Sequence, residues 1–102
     1  MPPVAELRAL GERRWALAGD LLFGNAASLL AHGEAVLGHA TPVEIDLSQV
    51  RRVDSAGLAL LLEWSIAARA AGGALVFRNA PPVLSALAGI SDVTELLEGL
   101  AA

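Results

Sequence analysis

A chain of 102 residues with a formal net charge of −4 is the size of one small domain, with room for one core but not for a cleft walled by two domains. Its 55% hydrophobic content excludes disorder, and with two Trp and two Phe as its only aromatics the core must be mainly aliphatic. All seven basic residues are Arg and form no stripe, which argues against nucleic acid and anionic lipid heads as partners; the absence of Cys excludes disulfides and thiolate metal sites.

Met1–Arg14 lacks a basic head followed by an apolar stretch, so no secretory signal is expected there. No run approaches the ~18 apolar residues of a membrane span, and the expected location is the cytoplasm. Val4–Leu10 and Arg13–Ala18 read as two strands around the turn Gly11–Glu12, with Trp15 and Leu17 on one face of the second. Gly19–Leu21 is expected to break that strand. Leu22, Ala26, Leu29, Leu30, Gly33 and Leu37 then recur at three- and four-residue steps, predicting a helix over Phe23–Leu37 with Asn25 as a cap and Gly38 and Pro42 as its end.

Val43, Ile45 and Leu47 alternate with Glu44 and Asp46, which predicts a strand, followed by a turn through Ser48–Arg52. A long helix runs from Asp54–Ser55 to about Ala71 and stops at Gly72–Gly73. Ala74–Arg78 is a fourth strand. Pro81–Pro82 opens a helix to about Ala88, since proline suits a first helical turn whose amides have no partner. Ser91–Asp92 is expected to cap a last helix, Val93–Leu100. The order predicts one α/β domain over residues 1–102: a four-stranded, mostly parallel sheet with an N-terminal antiparallel hairpin and about four helices gathered on one face. The bare face or edge is left to solvent or a partner.

The long helix carries apolar residues on two sides. Advancing about 100° per residue places Gly57, Leu60, Leu61, Trp64, Ala68 and Ala71 on a broad core face. The opposite side holds Ser55, Ala59, Leu62, Ile66 and Ala70, flanked by Glu63 and Arg69, with Leu58 and Ser65 at the boundary. A surface helix would carry Glu, Lys or Gln at those outer positions, and a contiguous exposed apolar patch marks a contact site. The competing reading is that the Ser48–Arg52 loop or the last helix covers the stripe. The same stripe is open to self-association. At the helix start, Asp54 and Ser55 can accept hydrogen bonds from free amides, and the dipole there favours an acid or a phosphate. A phosphate on Ser55 would set roughly −1.5 to −2 charge beside the patch.

Nothing in the pattern supports an enzyme. His32 and His39 read as exposed helix surface without metal-site spacing. Glu44 and Asp46 share a strand face and read as its polar side rather than an acid–base pair. The Gly-containing segments lack the lysine and spacing of a phosphate loop. Trp15 and Trp64 read as packing, because no basic groove accompanies them.

The segment "IDLSQVRRVDSAGLALLLEW", Ile45 to Trp64, resembles the STAS family, the domain shared by sulfate transporters and anti-sigma factor antagonists. The matching pattern is a strand ending in "IDLS", a short loop, "VDSAGL" opening a helix, then "AGG" and another strand, with the hairpin and "LAGDL" upstream. The resemblance implies the STAS fold. Within the family the chain is most similar to the MlaB branch, the cytoplasmic STAS subunit of the Mla-type phospholipid ABC transporters that maintain outer-membrane lipid asymmetry. That likeness implies a non-enzymatic subunit, peripheral to an inner-membrane complex, whose helix at the Asp-Ser motif contacts the ABC ATPase. Carried over, Asp54, Ser55, Ala56, Gly57 and Leu58 become partner-binding residues. Helix geometry extends the surface to Ala59 and Leu62, and the wheel adds Ile66. In the anti-sigma factor antagonists the serine matching Ser55 is phosphorylated by the anti-sigma factor kinase, and the unmodified form binds that kinase, which supplies the alternative. The long apolar "LALLLEW" favours the transporter. Neither reading requires a cofactor or metal, direct membrane insertion or nucleic acid. A lipid or small-ligand carrier would need an internal pocket, which the Leu/Ala core does not suggest.

Overall fold

The computed structural model describes residues 5–37 and 43–97. Strands β1 (Glu6–Gly11) and β2 (Arg14–Leu21) form the predicted hairpin. They are followed by helix α1 (Phe23–Leu37), strand β3 (Val43–Val53), helix α2 (Ser55–Ala70), strand β4 (Leu75–Arg78), helix α3 (Pro82–Ile90) and a 3-10 turn at Thr94–Leu96. The sheet order is β1-β2-β3-β4, with β1 antiparallel to β2 and the other two pairings parallel.

The alternation in the strands decides which face is covered. Leu17, Leu21, Val43, Ile45, Leu47, Leu75 and Phe77 are buried beneath the helices, whereas Arg14, Glu44, Asp46 and Arg78 stand on the other, open face. Polar residues at that open face pair with one another: Arg78 Nε donates to Glu44 Oε1 at 3.1 Å, and Asn79 Nδ2 donates to Asp46 Oδ2 at 3.1 Å. Helices α1 and α2 lie side by side, α1 over β1 and β2 and α2 over β2, β3 and β4, and α3 packs beside α2.

Four local expectations are corrected. Gly19–Leu21 does not break β2: Gly19 takes a φ of 96°, open to glycine, and the strand continues while the β2–β3 register shifts. Ser48–Arg52 is not a turn but part of the 11-residue β3. Ala16 pairs with Asp46 and Ala18 with Gln49, then Gly19 with Val50 and Asp20 with Arg52, so β3 carries one extra residue at each of two bulges. Its inward residues therefore run 43, 45, 47, 50, and the change of step is what reads as a loop. Asn25 does not cap α1; it lies inside the helix, and its Nδ2 donates back to the Asp20 carbonyl at 2.7 Å. The last predicted helix is a three-residue 3-10 turn within the described residues, entered through Asp92 at a φ of 58°. Its expected stretch beyond Leu97 lies outside the described residues, as do Val4, Gly38, His39 and Pro42.

Candidate protein-docking surface

The site is assembled where the carboxyl ends of β2 and β3 hand over to α1 and α2. The Asp54 amide donates to the Leu21 carbonyl at 3.1 Å, which ties the end of β3 to the end of β2. Asp54 then takes an extended conformation (φ −121°) and caps α2, its Oδ1 accepting the Gly57 N–H at 3.1 Å. Its other oxygen accepts the Phe23 N–H, also at 3.1 Å. One carboxylate thus satisfies the opening amides of both helices. Burial works against its charge, but hydrogen bonds from the amides of Gly57, Phe23, Ala56 and Asp54 itself outweigh it, and the carboxyl is held below its ordinary value. The cap is therefore Asp54 alone. Ser55, the first residue of α2, is exposed.

Close packing fixes the orientation of α2. A Cβ on Gly57 would collide with the Leu21 carbonyl oxygen, so only glycine lets the helix sit this near β2. Gly33 of α1 does the same for Trp64, whose indole ring occupies the space a side chain there would need. Trp64 is 2% exposed, and its Nε1 donates to the Leu30 carbonyl at 3.3 Å. Gly57, Leu60, Leu61, Trp64 and Ala68 are buried as the wheel placed them; Ala71 is exposed beyond the helix end.

The residues carried over from the resemblance divide in two. Gly57 and Leu58 face inward, Leu58 being 4% exposed, so they position the helix and cannot themselves touch a partner. Asp54 and Ala56 are half-buried at the helix start. Ser55, Ala59 and Ile66 are exposed, Ile66 by 59%, while Leu62 is half-buried and rests against the core. Ser48–Arg52 is held in the sheet and Ile66 stands open, so the competing reading of a covered stripe does not hold at Ile66.

Two features escaped the sequence reading. Phe23, at the first position of α1, is 83% exposed. It borders a groove of about 420 Å³ between the first halves of α1 and α2, floored by Ala26, Ala27, Leu30, Ala56, Ala59 and Leu60 and rimmed by Glu63. The signal was present: Phe23 falls outside the Leu22–Leu37 stripe, and a large aromatic outside the apolar stripe of its helix has no core to enter. A second cleft, of about 430 Å³, opens to solvent between β1 and α1 and is lined in part by Glu6, Asn25, Ser28 and His32.

The residues weighed for chemistry are engaged elsewhere. Glu44 is ion-paired with Arg78, and Asp46 accepts the Ser48 amide at 2.7 Å at the first bulge of β3. The Ser48 amide and hydroxyl, with Asn79 and Arg14 nearby, hold the Asp46 carboxyl below its ordinary value against the opposing effect of burial. A carboxylate held anionic in this way is a poor general base. Among the described residues no group of three or more His, Cys, Asp or Glu could hold a metal ion, and no helix is long and apolar enough to cross a membrane.

The fold is similar to two solved structures of SpoIIAA. One is the anti-sigma factor antagonist in its unphosphorylated form, 15% identical, covering 92% of this chain and 85% of that one with a TM-score of 0.72. The other is the Bacillus cell fate determinant in the phosphorylated form, 16% identical, covering 92% and 88% with a TM-score of 0.68. No curated protein matches the chain. The family model described as "Mlab, STAS domain" matches residues 7–98.

Proposed function

The chain belongs to the MlaB-type STAS domain family, and on that premise we propose that it is a non-enzymatic accessory subunit that binds the ATPase of a phospholipid ABC transporter. Domains of this family are regulatory or accessory and act through protein–protein contacts. In this reading α2 docks on the ATPase from Ser55 onward, with Asp54, Ser55, Ala56, Ala59, Leu62 and Ile66 at or beside the contact, and the complex sits at the cytoplasmic side of an inner-membrane transporter. The observation that carries the reading is the outer side of α2, where Ile66 stands 59% exposed one turn from Leu62 on a helix whose other side is already packed.

Co-purification with the cognate ATPase tests it. Ile66→Asp and Ser55→Glu are expected to weaken the complex at least tenfold while leaving thermal melting nearly unchanged. Wild-type binding by both variants would remove the reading. Ile66→Asp is a cleaner probe than Leu62→Asp, because Leu62 also packs on the core.

The exposed Ser55 hydroxyl, at the positive end of the α2 dipole and beside Asp54, supports a second reading: an anti-sigma factor antagonist switched by phosphorylation of Ser55. Incubation with the cognate kinase and ATP, followed by intact-mass measurement, separates the two. Stoichiometric phosphate on Ser55 supports the switch, and an unmodified chain counts against it.

A further inference from the structure

The groove between α1 and α2 is continuous with the outer stripe of α2. At about 100° per residue, Ala59 belongs to both: it follows Ser55 by one turn on the outer side, and it also lines the groove. The small side chains Ala26 and Ala27 on one helix and Ala56 and Ala59 on the other open a space wide enough for an aliphatic side chain. Phe23 stands at the groove's edge, largely in water, and its backbone amide is fixed by Asp54. An exposed aromatic on a held stretch of backbone, beside a small-residue groove, is the anatomy of a binding anchor. The charges around this strip are asymmetric. Glu63 stands on the α1 side, within the groove lining, and Arg69 lies on the far side of Ile66 toward the helix end.

We infer that partner recognition extends beyond α2 onto α1. The groove takes an apolar side chain from a helix of the partner, Phe23 inserts reciprocally into that partner, and a partner arginine or lysine set beside the apolar residue pairs with Glu63. The inference rests on the docking reading above and deepens it, since it fixes the chemistry of the partner surface: an amphipathic helix with a cation flanking its apolar ridge. Glu63 is the charged residue of the groove lining, so a cation is the complement that fits it.

The test is titration calorimetry of the full chain against the purified cognate ATPase. Phe23→Ala removes the exposed ring while leaving the amide that Asp54 holds. Ala27→Leu fills the groove with a good helix former and adds no charge. Each is expected to weaken binding about tenfold or more, in the range of interface anchors. Glu63→Gln is expected to weaken it about threefold and to flatten its dependence on salt. Circular dichroism melts of all three should match the parent, because the altered side chains are exposed. If Phe23→Ala and Ala27→Leu bind as the parent does while Ile66→Asp fails to bind, the α1 groove is overturned and the α2 docking reading stands. If Ile66→Asp and Ser55→Glu also bind normally, both fall.

Discussion

The two sides of α2 are similarly apolar and do opposite things. On the inner side, Gly57, Leu61, Trp64 and Ala68 meet β2, β3 and α1 so closely that two glycines, Gly57 and Gly33, mark where backbone or indole fills the space a side chain would need. On the outer side, Ala59 and Ile66 are exposed. The comparison teaches that hydrophobicity along a helix reports the amount of surface to be covered, not who covers it. Here the fold covers one half, and the other half is left to the proposed partner.

The contrast is most directly broken from the inner side. Trp64→Ala should cost about 3–5 kcal/mol in urea unfolding, since it empties a large buried volume between the two helices and removes the bond to Leu30. Gly57→Ala should cost about 1–3 kcal/mol by pushing α2 off the Leu21 backbone. Both losses should appear without any partner. At the boundary between the sides, Asp54→Ala should cost about 1–2 kcal/mol through loss of the cap.

The Asp54 contribution also has a defined pH dependence. The folded carboxyl lies below its ordinary value of 3.8, so the charge-dependent stabilisation is fully present above that value and is lost as pH falls through the lower folded value. The stability gap between the parent and Asp54→Asn should therefore be level at neutral pH and close in acid. A gap that widened on acidification would contradict the hydrogen bonds assigned here. On the outer side, Ile66→Asp should shift stability by no more than about 0.5 kcal/mol in the same unfolding measurement. Smallest of all, Glu44→Gln on the open sheet face should cost about 0.5 kcal/mol or less, because its pair with Arg78 is partly solvated.

The element order, the hairpin and the inner side of α2 were legible because each rests on a local rule: alternation in strands, three- and four-residue steps in helices, proline and glycine at the ends. What escaped was set by pairing between distant segments. The two bulges of β3 arise only when it is laid against β2, so Ser48–Arg52, with its one apolar residue, Val50, out of step, reads as a turn. Gly19 looks like a strand breaker until its neighbours supply a ladder. Leu58, placed at the boundary by the wheel, is drawn inward because the core wraps further round α2 than one sheet would require. At the site, Asp54 was visible as a cap of α2, but its bond to Phe23 spans 31 positions and leaves no local trace. The groove likewise needs α1 and α2 side by side before it exists.

The grip of Asp54 on two helices makes them mechanically one piece. A force that tilts α1 pulls on the same carboxylate that holds the first turn of α2, and anything that draws the carboxylate aside loosens both at once. This clasp, three bonds from the backbone, joins the two helices at their first turns, as the Trp64–Leu30 bond joins them further along.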